Sequence, residues 1–171
     1  PGAIGLPLGD VQVKFAEDGE IMLKTEALFT EYYKNKEATN EAFKDGWFLT
    51  GDIGELTADG YVKITDRKKD MIISGAENIA SSEIERVIYE LPEVLECAVI
   101  GVPDERWGER PEAVVVLKPG MTLDLARLDQ HCRQKLAGYK VPKALHLRET
   151  LPRNPSGKVL KRVLRGDLSA R

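Results

Sequence analysis

The sequence predicts an α+β fold in which a β-rich segment of hairpins precedes a small domain with helices on a short mixed sheet. In the first 65 residues, alternating apolar and polar residues flank Asp-Gly turns, which is typical of β-hairpins. After residue 80, apolar residues recur at helical spacing between short apolar runs. This order of elements is typical of a small α+β domain.

The first segment contains two predicted hairpins. One joins residues 11–15 to residues 20–24, and the other joins residues 53–57 to residues 61–65. A short helix is expected at residues 37–43, before an aromatic stretch that is closed by a glycine. The segment is therefore expected to be β-rich throughout.

The second segment alternates helices and strands. Four apolar residues from Ile84 to Leu91 lie on one face of a predicted helix, which Pro92 ends. Further apolar patterns predict the remaining elements, which are strands at 95–102, 113–117 and 143–147 and helices at 123–136 and after residue 157, with Lys158 at the start of the last helix. We therefore expect the helices to pack on one short sheet.

Five consecutive charged residues, 66–70, separate the two segments. They lie between an amphipathic strand and the apolar run 71–73, so they are poor candidates for a core and are expected to form a solvated connection. An interdomain hinge and an ordinary charged turn both have this composition.

The composition is that of a soluble globular protein. The chain has 171 residues, 42% apolar and 31% charged, which allows one domain or two small ones. No apolar run approaches the roughly 18 to 20 residues that span a membrane, and no signal-peptide pattern is present, so we expect a cytoplasmic protein. Because the chain begins at Pro1 inside a predicted turn, we expect it to be part of a longer protein.

The cysteines do not form a metal motif. Cys97 and Cys132 are far apart, and the two histidines, His131 and His146, complete no known ligand spacing. We therefore expect reduced, buried thiols and no metal site.

The charge is unevenly distributed. Residues 138–171 carry nine basic and two acidic residues, a net charge of +7, which leaves −10 for residues 1–137. A basic end on an acidic chain indicates an anionic ligand. Nucleic acid, a phosphorylated small molecule and a role in solubility alone are all compatible with it.

Three short motifs are candidates for chemistry. In the loop 152–158, two prolines stiffen the chain and Gly157 lets its backbone approach a ligand closely, so that Lys158 could present its charge to that ligand. A rigid turn with a solvated lysine has the same composition. Asp52 follows a glycine and could accept hydrogen bonds from a ribose diol, or be a plain turn aspartate. Trp107 could stack on a base or fill the core of its own domain.

In combination, these motifs resemble the adenylate-forming acyl-CoA synthetases, and the resemblance covers nearly the whole chain. The matching motifs, in order, are Gly46-Trp47-Phe48-x-Thr50-Gly51-Asp52, Gly60-Tyr61, Asp66-Arg67-Lys68-Lys69-Asp70, Ile73-Ser74-Gly75-x-Glu77-Asn78-Ile79, Glu83-Ile84-Glu85, Gly101-Val102-Pro103-Asp104, Trp107-Gly108, Lys140-Val141-Pro142-Lys143 and Pro152-x5-Lys158. The chain is similar to the C-terminal part of a fatty-acid or aryl-acid CoA ligase.

This resemblance implies a reaction in two steps. A carboxylic acid, which we expect to be a fatty acid, first reacts with ATP to give an acyl-adenylate, and CoA then displaces AMP to give a thioester. Residues 1–65 would end the large adenylating domain, residues 66–70 would be the hinge, and residues 71–171 would be a mobile lid. The family's phosphate loop and adenine motif do not occur in this sequence, so the chain alone is expected to be inactive, with Mg²⁺ bound mainly upstream.

The resemblance also implies roles for individual residues. Asp52 would hold the ribose hydroxyls, Arg67 would help bind the nucleotide, and Lys158 would be the catalytic cation that bridges the carboxylate and the α-phosphate. Lys69 would be the hinge residue. The CoA and pantetheine site would be formed by Ser74, Gly75, Trp107 and Lys140, with Lys143 in the same basic surface.

Two departures from the family pattern affect the expected channel loop: Ala76 replaces a second glycine, and Ala80-Ser81 replaces the common aromatic-or-His then Pro. Two alternative functions stay open. The acceptor could be the phosphopantetheine arm of a carrier protein, or the basic end could belong to a non-catalytic nucleic-acid-binding domain, although the interleaved aromatics typical of such a domain are missing. We expect no nucleic-acid partner, and the sequence leaves the acid and the oligomeric state open.

Overall fold

The computed structural model describes residues 3–7 and 9–169, which divide into two compact units between Lys69 and Asp70. The residues before this division form the first unit and those after it form the second unit. None of the helices in the described ranges is long and apolar enough to cross a membrane.

The first unit is built on a six-stranded antiparallel sheet. In chain order its elements are β1 (Ala3–Gly5), β2 (Gln12–Phe15), β3 (Glu20–Lys24), α1 (Lys36–Ala42), β4 (Phe43–Lys44), β5 (Trp47–Leu56) and β6 (Val62–Arg67). The sheet order is β1-β6-β5-β3-β2, and β4 pairs with β5. The two predicted hairpins are confirmed as β2–β3 and β5–β6.

The aromatic stretch and the following strand were predicted as separate pieces, which is wrong, because β5 runs through both of them. The strand stays continuous across Gly51 by means of a bulge. On β3 only two residue steps separate Glu20 from Met22, whereas four steps separate their partners, Ile53 and Leu49, on β5. The two additional residues on β5 leave the regular ladder, and Gly51 adopts φ +71° there.

The second unit has a five-stranded mixed sheet in the order β11-β10-β7-β8, with β9 also paired to β10. Its elements are β7 (Ile72–Ser74), β8 (Glu77–Ile79), α2 (Ser81–Ile88), β9 (Val94–Asp104), β10 (Gly108–Leu117), α3 (Leu125–Arg133), β11 (Leu145–Leu147) and α4 (Lys161–Ser169). Only β11 runs parallel to its neighbour, β10. The predicted α+β class with a short mixed sheet is therefore confirmed.

The hairpin β9–β10 is buried on both faces, which explains its nearly continuous apolar sequence. On one face, Val99 and Val115 pack with the apolar residues of α2 and α3. On the other face, Ile100 and Val114 pack with Leu164 and Leu168 of α4. The core of the second unit thus consists of two clusters separated by this hairpin.

Residues 103–109, which lie between the predicted strands 95–102 and 113–117, are mostly strand, because β9 ends at Asp104 and β10 begins at Gly108. Asp104 Oδ1 accepts hydrogen bonds from the backbone N–H groups of Arg106 and Trp107, both at 3.0 Å, and Gly108 has φ +81°. These contacts close the hairpin over three residues, so Trp107 lies at its tip.

Candidate functional site

The bulge in β5 lies beside a pocket in the first unit. This pocket, of about 340 Å³, is lined by Thr50, Gly51, Arg67, Lys68 and Lys69. Its lining combines a glycine backbone with three basic side chains, so it suits an anionic ligand that approaches the backbone closely.

Hydrogen bonds fix the shape of this bulge. Gly51 N–H donates to Glu20 Oε1 at 2.9 Å, and Thr50 Oγ1 donates to the carbonyl oxygen of Ile21 at 2.7 Å. Thr50 Oγ1 also accepts the N–H of Asp52 at 3.2 Å. Bulges of this kind redirect a side chain out of the regular strand alternation. Here the redirected residues include Asp52.

The structure brings Asp52 and Arg67 together. They are directly paired residues of β5 and β6, and Arg67 Nε lies 3.1 Å from Asp52 Oδ1. The Asp52 side chain is 23% exposed and that of Arg67 is 48% exposed. Asp52 also lines a second, mainly apolar cavity of about 350 Å³ in the same unit. A carboxylate and a guanidinium group thus lie side by side at the rim of the basic pocket.

An ionic cluster around one buried carboxylate, beside the pocket, was not predicted from the sequence. Glu20 is only 4% exposed, and Lys68 Nζ lies 2.8 Å from its Oε2 and 2.7 Å from Asp18 Oδ2. The hydrogen bond from Lys68 lowers the pKa of Asp18, and the bonds to Asp18 and then Glu20 raise the pKa of Lys68. One signal was present in the sequence, since Glu20 shares a strand face with the buried Met22.

The charged connection is therefore less solvated than expected. Arg67 and Lys68 form ion pairs within the first unit, and Asp70 pairs with Arg165 in the second unit at 3.3 Å. Lys69 lies next to the division between the units and lines the basic pocket. Neighbouring residues of the connection thus belong to different units.

The second unit has a cavity of about 460 Å³ formed by three turns. Ser74, Gly75 and Trp107, three of the four residues predicted for CoA, line it. Lys140 does not, because its Nζ is bound by the carboxylate of Glu83 at 2.6 Å. The next lysine along the chain, Lys143, lines the cavity instead.

Gly75 and Trp107 are in direct contact at this cavity. Gly75 has φ +65°, and its N–H donates to the carbonyl oxygen of Trp107 at 2.6 Å. A Cβ on residue 75 would lie 3.2 Å from Trp107 Cε3. The indole is 49% exposed, so Trp107 does not fill the core of its unit. An exposed aromatic face therefore forms part of the cavity wall.

Arg110 supplies a second cation that sequence reasoning missed. It lines the same cavity, and its Nε donates to Glu112 Oε1 at 2.9 Å. Glu112 is 3% exposed and also contacts His146 Nε2 at 2.7 Å, and Asp104 lies 3.4 Å from Arg110 Nη1. The hydrogen bond to Glu112 is the main cause that raises the pKa of Arg110. Two cations and two aromatic rings, those of Trp107 and Tyr139, thus share one cavity.

Lys158 is exposed at the end of a turn that the chain itself closes. The N–H of Asn154 donates to the carbonyl oxygen of Lys158 at 2.9 Å, and the N–H of Lys158 donates to Asn154 Oδ1 at 2.8 Å. Arg153 pairs with Val159 in an isolated bridge and with Glu96 through an ion pair of 2.9 Å. The helix was expected to begin at the lysine, but α4 begins three residues later, at Lys161.

The cysteines and the metal-binding residue types give no further site. Cys97 and Cys132 are free and buried, and burial raises the pKa of both thiols, that of Cys132 to about 11. Within residues 3–7 and 9–169, no group of three or more His, Cys, Asp or Glu side chains could hold a metal ion.

Comparison with known proteins finds one matching family model and several similar enzymes. Residues 83–158 match the model of the AMP-binding enzyme C-terminal domain. The long-chain-fatty-acid–CoA ligase FadD13 of Mycobacterium tuberculosis is 50% identical over 153 residues, which cover 90% of this chain and 30% of that protein. The 2-succinylbenzoate–CoA ligase of Listeria monocytogenes is 46% identical over 164 residues, covering 96% and 35% respectively.

A solved structure agrees with these relatives. The ATP-bound MatB from Rhodopseudomonas palustris superimposes with a TM-score of 0.90 at 39% identity, covering 99% of this chain and 36% of that one. The chain therefore spans about a third of the length of the proteins it matches. Residues 83–158 match the AMP-binding enzyme C-terminal domain, and nearly the whole chain is similar to part of two acid–CoA ligases and of MatB.

Proposed function

We propose that this chain is the C-terminal part of an AMP-forming acid–CoA ligase that acts on a carboxylic acid of the fatty-acid class. The observation that carries the proposal is the exposure of Lys158 at the end of a turn held closed by its own hydrogen bonds. A lysine in this state can be delivered to a reaction centre outside its own unit. The identity to a long-chain-fatty-acid–CoA ligase supports the substrate class.

In the first step, an oxygen of the substrate carboxylate attacks the α-phosphorus of ATP, and the bond to pyrophosphate breaks. Asp52 accepts hydrogen bonds from the ribose hydroxyls, and Arg67, which lies 3.1 Å from it, contacts the nucleotide. Lys158 offsets the negative charge that builds up between the carboxylate and the α-phosphate. In the second step, the thiol sulfur attacks the acyl carbon and AMP leaves.

The cavity of the second unit is the proposed thiol site. Ser74 and Gly75 form the channel for the pantetheine arm, and Trp107 lies beside it. Arg110 and Lys143 in the same cavity favour a thiol that carries phosphates, so we assign CoA as the acceptor. The ion pair with Glu83 makes Lys140 a weaker candidate than Lys143 for this role.

The second unit is the proposed mobile lid. Residues 66–70 are the hinge, with Lys69 as its central residue, and the lid would rotate between the two steps. The division between the compact units falls inside this segment, which supports the assignment. Residues 1–65 would then end the large adenylating domain.

The remaining assignments concern partners and location. At least five of the nine basic residues in 138–171 form ion pairs within the chain, which weighs against a nucleic-acid partner. Because the described residues contain no group of three or more His, Cys, Asp or Glu side chains that could hold a metal ion, we assign Mg²⁺ to the rest of the enzyme together with the ATP phosphates. A cytoplasmic location stays a prediction.

The test is Lys158→Ala in the full-length enzyme, assayed separately for the two half-reactions. ATP–pyrophosphate exchange should fall by about 10² to 10³, the loss expected for one preorganised electrostatic contact, whereas thioester formation from supplied acyl-adenylate should be largely retained. The control is Arg162→Ala, which removes an exposed cation of α4 and should behave as wild type.

Equal losses in both half-reactions would contradict the role of Lys158. If the wild-type enzyme released no pyrophosphate with ATP and any carboxylic acid of a chain-length series, the proposed function itself would be wrong.

A further inference from the structure

Glu20 is a buried carboxylate whose position is not explained by the proposed mechanism. It lies at the start of β3, is 4% exposed, and both of its oxygens are engaged by groups distant in sequence. Oε1 accepts the N–H of Gly51, and Oε2 pairs with Lys68 Nζ. Burying a carboxylate is costly unless it is paired and hydrogen-bonded, so such a residue is expected to serve a defined purpose.

The first oxygen holds the β5 bulge. The two additional residues of β5 take the N–H of Gly51 out of the ladder with β3, so this half-buried N–H needs another acceptor. Glu20 Oε1 provides this acceptor at 2.9 Å. Because Gly51 directly precedes Asp52, the same contact fixes the backbone that presents the proposed ribose-binding carboxylate.

The second oxygen holds Lys68. Lys68 Nζ lies 2.8 Å from Glu20 and 2.7 Å from Asp18, and Asp18 Oδ1 in turn accepts the N–H of Glu20 at 3.1 Å. Lys68 thus forms ion pairs with two residues of the β2–β3 hairpin. The chain is therefore fixed within the first unit up to Lys68, one residue before the proposed hinge.

We propose that Glu20 is a positioning residue that couples the nucleotide pocket to the hinge. One oxygen holds the bulge that presents Asp52, and the other anchors Lys68 so that rotation of the lid begins at Lys69. This inference rests on the proposed function for its catalytic meaning. Its structural part, the contacts of Glu20 with Gly51 and Lys68, stands independently.

Three variants of the full-length enzyme separate the two tasks. Glu20→Ala removes both contacts. It should raise KM for ATP about tenfold or more in the adenylation half-reaction, because the half-buried N–H of Gly51 loses its acceptor. Glu20→Gln keeps an acceptor for Gly51 but loses the charge that holds Lys68. It should leave KM for ATP within about threefold, while it changes the ratio of the two half-reaction rates. Lys68→Met should reproduce this change in ratio.

Two comparisons exclude a merely structural effect. Glu55→Ala removes an exposed carboxylate from β5, the strand that contains the bulge. This carboxylate pairs with Lys63 at 2.7 Å, and its loss should leave KM for ATP at the wild-type value. Combining Glu20→Ala with Asp52→Asn should raise KM no further than the larger single change, because both substitutions act on one contact to the ribose.

Additive effects in this double variant, or an equal rise in KM for Glu20→Ala and Glu55→Ala, would overturn the role at the bulge. A uniform fall of both half-reactions in Glu20→Gln and Lys68→Met would overturn the role at the hinge. If Glu20→Ala fails to fold, Glu20→Gln and Lys68→Met still test the role at the hinge, and hydrogen exchange of the Gly51 amide still tests the role at the bulge.

The Gly51 amide can be followed by hydrogen exchange in the 171-residue chain. Exchange should be slow in wild type and Glu20→Gln and at least tenfold faster in Glu20→Ala. Fast exchange in wild type would overturn the bulge contact even if the catalytic proposal holds. Slow exchange in an enzyme that makes no acyl-adenylate would refute the proposed function alone.

Discussion

Replacing Gly75 by alanine tests the proposed thiol channel. Gly75 has φ +65°, where a Cβ costs about 1 to 2 kcal/mol. The added Cβ would also lie 3.2 Å from Trp107 Cε3, so the indole must move by a few tenths of an ångström. The backbone of Trp107 is held by Gly75 and Asp104, so the movement falls on the ring that lines the cavity. We expect thioester formation to slow about tenfold, which corresponds to roughly 1.4 kcal/mol.

Gly120→Ala is the matched control for backbone strain. Gly120 has φ +76°, and a Cβ there would have no atom within 4 Å. Urea denaturation of the 171-residue chain should show a similar loss of unfolding free energy for both variants. In the full-length enzyme, only Gly75→Ala should slow thioester formation from supplied acyl-adenylate, and neither variant should change ATP–pyrophosphate exchange. Equal slowing by Gly120→Ala, or an equal loss in both half-reactions for Gly75→Ala, would refute the channel.

Three further predictions concern stability and titration. Leu164→Ala in α4, where the side chain is 1% exposed, should lower the free energy of unfolding by about 2 to 5 kcal/mol in urea denaturation, and a loss below about 1 kcal/mol would contradict the second core cluster. Because burial raises the pKa of Cys97 and Cys132, a thiol reagent at pH 8 should react with neither in the native chain and with both after unfolding, and rapid native reaction would contradict their burial. Lys68→Met should raise the pKa of Asp18 towards its ordinary value of about 3.9, measured by carboxyl NMR. The lowered pKa of Asp18 stabilises the fold at pH values above the pKa that this carboxyl has in the unfolded chain, and this stabilisation is lost as the pH falls through its pKa in the folded chain. The variant should therefore lose less stability in acid. An unchanged Asp18 titration would contradict the ion pair.

Much of the fold could be predicted because its signals are local. The Asp-Gly pairs at residues 18–19 and 59–60 set both hairpins of the first unit, and each requires only neighbouring residues. The helical stripe that includes Leu164 likewise follows from spacing along one helix face. Strand lengths were predicted less well. The length of β5 depends on pairing with β3, which lies some 25 residues earlier in the chain.

The supporting ion pairs could not be predicted, because they depend on contacts distant in sequence. Lys68 and Lys69 are identical residues in one charged run, and only the fold determines that Lys68 meets Glu20, 48 residues earlier. In the same way, the motif contains both Lys140 and Lys143 and does not show that the carboxylate of Glu83, 57 residues earlier, engages Lys140. Sequence alone does not distinguish two neighbouring lysines when their partners are remote.

The predicted site residues and the supporting carboxylates that were not predicted differ in a physical way. The predicted site residues on turns and bulges all adjoin a glycine with positive φ, in the pairs Gly51-Asp52, Ser74-Gly75, Trp107-Gly108 and Gly157-Lys158. This backbone conformation favours glycine and turns the neighbouring side chain out of the ladder. The sequence therefore shows a glycine beside the site residue. The carboxylates that were not predicted, Glu20 and Glu112, lie in strands, where the backbone conformation is open to any residue. Their burial depends on partners that are distant in sequence. A search of related sequences for supporting residues should therefore examine buried carboxylates on strands that face a glycine bulge.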